Sequence, residues 1–340
     1  MWGKLQEILS CPRCRGPLTI EVEKEGIGGD VAEGTIACAG CPASYRIEDC
    51  VPNFLSDGAS DRTKQGFEYQ WRKRLAGRAE PPSRCYGMLT REFAEWVLVS
   101  CGRSLKVDRG VPWVLDAGCG SAEKASWLAR IRPDVQVVGL DQSGSLAVSR
   151  SRYADLRNLH LIRGDVLQLP FSLGTFPLVM SIGVLHHTAD TRLAFERLAE
   201  MVSSEGMLLT WIYPRPDEDP FWAALYRQRD IHFLGLASRL PHRLLFTLCH
   251  LHAMAMFLPM ARLSYRYLKT HRFPFMPSRL SMWEFYKSQV FLSFDNLMPK
   301  YQFRHAAEEV VAWYHELGFP TVTMPYPAFF LGTRRDSGSG

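Results

Sequence analysis

The sequence lacks a long, uninterrupted apolar run. Its most lipid-like stretch, residues 244–261, is broken by His250, His252 and Pro259. It is barely as long as the roughly 20 residues a helix needs to cross bilayer hydrocarbon. It reads as a buried or partner-facing helix, and no membrane span is expected. The first ten residues have neither the apolar centre nor the cleavage site of a secretory leader. A strong excess of one charge is also missing: 40 Lys+Arg against 35 Asp+Glu leave a net charge of +5, which permits an anionic ligand or RNA and demands neither. No disulfide framework is visible. Of nine cysteines, four form two close pairs and the others are scattered, as in a reducing compartment. The expected localisation is therefore cytoplasmic. There is no internal repeat and no Gly-Lys-Ser/Thr of a triphosphate-binding loop, and Glu123 stands where a Gly-x-Gly-x-x-Gly fingerprint would have its third glycine.

What is present is enough apolar material for a real core: 46% hydrophobic against 22% charged residues. The length suits one large domain with a small companion. The small one is residues 1–56. Cys11-Pro-Arg-Cys14 and Cys38-Ala-Gly-Cys41 are separated by 23 residues that alternate, pass a Gly-rich turn and alternate again, which reads as a hairpin. Two such pairs can hold one structural zinc in a closed four-thiolate site. Residues 57–110 read as a helical cap and linker. Within it the basic run 71–78 is either a nucleic-acid patch or, preferred, a solvated helix face with Tyr69 and Trp71 over a cleft.

From 111 to 213 short apolar runs alternate with helical patterns, the signature of a parallel sheet covered on both sides. Asp190 can cap the helix that follows it. Residues 214–304 break the rhythm with a Phe-, Leu-, Met- and Arg-rich helical insertion, read as a lid or substrate-binding element and a possible homodimer face. Residues 305–335 restore it as a helix and a β-hairpin, and 336–340 read as a disordered tail.

The chemistry lies at the strand ends. The run Val114-Leu-Asp116-Ala-Gly118-Cys-Gly120-Ser121 ends a buried strand in a glycine bend, where the backbone turns sharply and a ligand can come close. Asp141, 21 residues after Gly120, ends the second strand and can accept both hydroxyls of a ribose. Asp165 and Val166 end the third, where a carboxylate beside an apolar residue suits an adenine edge. Gln142 and Ser181 complete the candidate cofactor set. After the fourth strand, His186 and His187 are candidate catalytic groups, with His187 the general base or acceptor-orienting residue.

Taken together, "VLDAGCG", "VVGLDQS", "RGDVLQLPF", "SIGVLHHTAD" and "EGMLLTWIY" resemble the successive motifs of class I S-adenosylmethionine-dependent methyltransferases. The resemblance covers residues 65–213 and 305–335. It implies a Rossmann-like, doubly wound α/β fold with a seven-stranded sheet, preceded here by the zinc ribbon and interrupted by the insertion before the last helix. It places Asp116, Gly118 and Gly120 on the methionine part of the cofactor. Ala122 stands where many relatives have glycine. The run Tyr45–Leu55 resembles the end of small zinc-ribbon proteins that activate tRNA and protein methyltransferases. Asp295, Tyr301 and His305 fall in a segment similar to one that precedes the last helix of many bacterial methyltransferases, and are candidate substrate contacts. The implied activity is methyl transfer, and the large apolar insertion favours a small-molecule or lipid-like acceptor, O-methylation before C- or N-methylation. The alternatives are an RNA base methyltransferase that uses the ribbon for recognition, and a non-catalytic scaffold.

Overall fold

The computed structural model describes residues 2–26, 29–55, 62–77, 84–85, 88–101, 105, 110–215, 237, 239–254 and 282–334. The disordered tail and much of the insertion expected from the sequence lie outside the described residues.

Thirteen strands are described: β1 (Leu18–Glu25), β2 (Val31–Cys38), β3 (Ser44–Glu48), β4 (Val51–Asn53), β5 (Arg84–Cys85), β6 (Met88–Leu89), β7 (Trp113–Ala117), β8 (Gln136–Asp141), β9 (Leu159–Arg163), β10 (Phe176–Ile182), β11 (Val202–Trp211), β12 (Thr321–Tyr326) and β13 (Phe329–Thr333). The helices are α1 (Trp2–Ile8), α2 (Arg62–Leu75), α3 (Thr90–Cys101), α4 (Glu123–Ile131), α5 (Leu146–Arg152), α6 (Thr191–Met201), α7 (Met282–Leu297) and α8 (Ala307–Glu316).

The central sheet runs β9-β8-β7-β10-β11-β13-β12. Its first five strands are parallel, and β13 runs antiparallel to both neighbours. The strands β7 to β10 are buried almost throughout, because successive side chains serve opposite cores. Val114, Val137, Leu161 and Leu178 pack with α3 and α4. Their neighbours Leu115, Val138, Ile162 and Val179 pack with α6 and α8. The chain winds outward from β7 to β9, then returns to β10. The carboxyl ends of β7 and β10 are therefore the topological switch point, where doubly wound sheets bind ligands.

One expectation is corrected. The sheet has eleven strands, not seven, because β1-β2-β3-β4 continue it beyond β9. Strand β4 lies parallel to β9 with Asn53 opposite Arg163, and the Phe54 amide donates to the Arg163 carbonyl at 2.8 Å. Without β4, β9 would be an open edge with unpaired backbone groups. The cysteine-bearing module also shares a core with the central sheet: Ile36, Tyr45 and Ile47 pack in one cluster with Phe171 and Phe176. At the seam the Ser10 amide donates to the Pro170 carbonyl at 3.0 Å and the Ser172 amide to that of Ile8 at 2.9 Å. Arg15 Nη1 donates to the Leu169 and Phe171 carbonyls, each at 3.1 Å. Arg150 Nη2 meets Asp30 Oδ2 at 2.7 Å, both nearly buried.

Candidate cofactor and acceptor site

The bend after β7 is built on alternating left-handed residues: Gly118 (φ 83°), Gly120 (φ 60°) and Ala122 (φ 62°). The first two need glycine for space as well as conformation. A Cβ on Gly118 would lie 2.2 Å from Val184 Cγ2, and one on Gly120 would lie 2.5 Å from the Trp71 ring. The amides of Gly118 and Cys119 donate to the Leu140 carbonyl at 2.7 and 3.0 Å, so the bend hangs from the end of β8. Asp141 fastens it: its Oδ2 accepts from the Gly120 amide and its Oδ1 from the Ser143 amide, both at 2.9 Å. Burial raises the Asp141 pKa, opposed by these amides.

Asp116 is fully buried, and neither carboxylate oxygen has a hydrogen-bond partner. Burial pushes its carboxyl up to about 6; Lys124 opposes the rise and Asp141 adds to it. Such a carboxylate suits a cationic or proton-donating ligand. Asp165 Oδ1 accepts from the Leu167 amide at 2.9 Å, its Oδ2 lies 3.6 Å from Lys64 Nζ, and Val166 beside it is buried. The Gln142 carbonyl accepts from Arg163 Nε at 3.1 Å. Ser181 Oγ donates to the Ala117 carbonyl at 2.9 Å, tying the tips of β10 and β7. Ser121 Oγ bonds Glu123 Oε2 at 2.5 Å.

Helix α2 forms a roof over these strand ends, packed directly on the bend. Trp71 lies on Gly120 and Phe291, Phe67 stands 5.4 Å from the His187 ring, and Glu68 borders Gly144. Arg74, the centre of the basic run, is completely buried. Its Nε lies 3.6 Å from Glu123 Oε1, and its guanidinium covers the Trp71 and Phe291 rings. Neither sequence reading of that run anticipates this. A buried arginine gives no local signal; only the unusual Glu123 in the glycine bend hints that a cation must answer it.

The two histidines differ. His186 is fully buried and stacks on Tyr213 at 3.8 Å, and its Nδ1 accepts from the Tyr213 amide at 3.3 Å. Burial, with His187, Arg304 and His305 nearby, holds its pKa well below the usual histidine value, so it is neutral. His187 Nδ1 faces the Tyr301 carbonyl at 3.0 Å, so the network assigns that nitrogen the proton. Its Nε2 lies 3.9 Å from Asp295 Oδ2, which accepts from Tyr213 Oη at 3.2 Å. Strand β10, strand β11 and helix α7 thus bring His187, Tyr213 and Asp295 together. Tyr301 contributes its carbonyl, while its ring stacks on Phe303. His305 is not in this group: its Nδ1 pairs with Glu309 Oε1 at 2.9 Å and its ring meets Trp313 edge-on.

The four cysteines Cys11, Cys14, Cys38 and Cys41 converge, with all sulfurs within 4.8 Å of one another. Cys14 and Cys38 Sγ are 3.4 Å apart, and Cys11 and Cys41 Sγ 3.7 Å. A tetrahedral thiolate shell with metal–sulfur bonds near ~2.3 Å requires sulfurs nearly this far apart. The Gly16 and Gly40 amides donate to Cys14 and Cys38 Sγ at 3.4 and 3.3 Å, as expected around anionic sulfur. The donor set fits a soft, tetrahedral metal ion.

The doubly wound sheet, the glycine bend at its switch point and the acids at neighbouring strand ends form the kind of arrangement at which open α/β sheets hold nucleoside ligands. Comparison places this chain's segments more narrowly: residues 114–206 match the family described as "Methyltransferase domain", and residues 4–49 match "Trm112p-like protein". A segment similar to a methyltransferase domain is thus preceded in the chain by one similar to Trm112p. It is 31% identical over 97 residues to malonyl-[acyl-carrier protein] O-methyltransferase of Legionella pneumophila, covering 28% of this chain and 34% of that protein. It is 31% identical over 106 residues to trans-aconitate 2-methyltransferase of Deinococcus radiodurans, covering 31% and 40%. The chain therefore spans less than half the length of these two relatives. The magnesium protoporphyrin IX methyltransferase of Synechocystis PCC 6803, solved with bound SAH, is 14% identical with a TM-score of 0.40, covering 82% of this chain and 90% of that one.

Proposed function

We propose that the chain is an S-adenosylmethionine-dependent methyltransferase for a small-molecule or lipid-like acceptor, with O-methylation favoured, and that its four cysteines hold a structural zinc ion. The observation that carries the reading is the buried, unsatisfied carboxylate of Asp116 beside a bend whose Gly118 and Gly120 admit no side chain, inside the segment matched as a methyltransferase domain. The O-methyl preference draws support from the Legionella relative's name.

The cofactor, when bound, supplies an electrophilic methyl group on a sulfonium. The protein is left to bind, align and exclude water. Asp116 would face the cationic methionine end, Asp141 the ribose hydroxyls, and Asp165 with Val166 the adenine. Trp71 and Phe67 keep water from the bend and from His187. With its proton on Nδ1, His187 presents the Nε2 lone pair and can take a proton from an acceptor hydroxyl. Asp295, held by Tyr213, would stabilise the imidazolium so formed.

Calorimetry with S-adenosylhomocysteine tests the reading. Wild type should bind, and Asp141→Ala should lose about 100-fold or more in affinity, as expected when a buried polar contact loses its partner. Unchanged affinity in that variant would remove the ribose assignment. Absence of binding by the wild type would turn the chain into a scaffold. RNA binding that weakens steeply with salt would replace the small acceptor by RNA.

A further inference from the structure

The helical stretch 242–254 carries apolar residues on two opposite faces. Leu245, Phe246, Cys249 and Ala253 are buried against Val290, Phe294 and Met298. On the opposite face, Leu244, Leu248, Leu251 and Met254 are 47%, 40%, 58% and 52% exposed. These four recur at helical spacing and form one stripe. Trp283, 63% exposed, is joined to this helix through Tyr286. It stacks on Tyr286 at 5.3 Å, whose hydroxyl meets His250 Nδ1 at 2.7 Å. Monomeric soluble surfaces rarely carry such a contiguous apolar stripe without a partner.

Charge identifies the partner. The sequence from 231 to 283 holds seven Lys+Arg and no Asp or Glu, more positive charge than the +5 of the whole chain. Arg239 and Arg243, both exposed, stand at the start of the stripe. A second copy of the chain would bring the same arginines, with no acidic side chain between 239 and 254 to answer them. An anionic lipid surface offers both an apolar interior and negative headgroups. We propose that the face formed by Arg239, Arg243, Leu244, Leu248, Leu251 and Met254 docks the protein on anionic membrane surfaces, lying in the interface without crossing it. Among the described residues, no helix is long and apolar enough to cross a membrane. Trp283 would sit at headgroup depth, where amphipathic rings are enriched. This inference stands independently of the proposed reaction.

Flotation of the full chain with phosphatidylcholine vesicles, with and without phosphatidylglycerol, provides the test. Binding should require phosphatidylglycerol and weaken as salt is raised. The double variant Leu248→Glu/Leu251→Glu should reduce partitioning about tenfold or more, and Arg239→Ala/Arg243→Ala several-fold. All four side chains are solvent-exposed, so both variants should melt with wild-type midpoints and bind S-adenosylhomocysteine as wild type does. Equal partitioning of wild type and the leucine variant would overturn the proposal. So would a wild type that ignores vesicles but forms a dimer that the leucine variant abolishes, which would assign the face to a second copy.

Discussion

Asp116 is fully buried with a carboxyl pushed up to about 6, so ionising it opposes folding. Its folded pKa lies above the ordinary 3.8. Its contribution to stability is therefore complete below that value and is lost as pH rises through about 6, by an amount on the order of 1–3 kcal/mol. Asp116→Asn should raise the melting temperature of the ligand-free chain at pH 7–8 while weakening S-adenosylhomocysteine binding. In the wild type, binding should strengthen between about pH 5 and 7 and then level off, because the ligand's ammonium prefers the ionised acid. Calorimetry across that range checks both signs. Ala122 carries a second, smaller strain. It holds a left-handed φ of 62°, a conformation that costs a non-glycine residue about 1 kcal/mol or more. Ala122→Gly should therefore be neutral or stabilising in denaturant unfolding, the reverse of the usual sign for this exchange in helices.

The elements around the bend are joined by one buried ion pair. Arg74 of α2 and Glu123 at the start of α4 are 0% and 5% exposed in their side chains, and together they latch the roof to the glycine bend. Removing one partner strands the other's charge. Arg74→Ala should cost roughly 3–5 kcal/mol in denaturant unfolding, and adding Glu123→Gln should recover part of that loss. Full additivity of the two substitutions would show that the pair is not a latch. Much of this level is legible in the sequence. The β1–β2 hairpin forms where alternation and the Gly-rich turn place it. Asp190 accepts from the Leu193 amide at 2.9 Å as the cap of α6. Strands β12 and β13 pair around the Pro327 turn. These are local effects of propensity and spacing. The roof is different, because Trp71, Arg74 and Phe291 come together only by long-range packing.

At the scale of the whole molecule, the Trm112p-like module is part of the fold rather than an appendage. It closes the β9 edge, shares a hydrophobic core with the central sheet and grips the loop 169–172 next to Asp165. Removal of a metal held by the four cysteines should therefore be felt at the glycine bend and the neighbouring strand ends. Under a strong chelator, calorimetry should show one cooperative transition shifted to lower temperature for the entire chain, with weaker S-adenosylhomocysteine binding. Two transitions, the upper one unmoved, would show that the module folds apart.

The sequence by itself determined the parts whose signals are short-range: buried parallel strands, glycines where the chain must turn back, acids at three successive strand ends, and two cysteine pairs at ligand spacing. Each follows from backbone sterics or donor chemistry within a few residues. Only the tertiary structure decided that four ribbon strands extend the sheet at β9, that Arg74 turns inward to Glu123, that His187 meets Asp295 while His305 turns to Glu309, and that Leu244, Leu248, Leu251 and Met254 stay exposed. Those outcomes depend on which surfaces far apart in the chain find each other, and burial and charge pairing set that only when the whole chain packs.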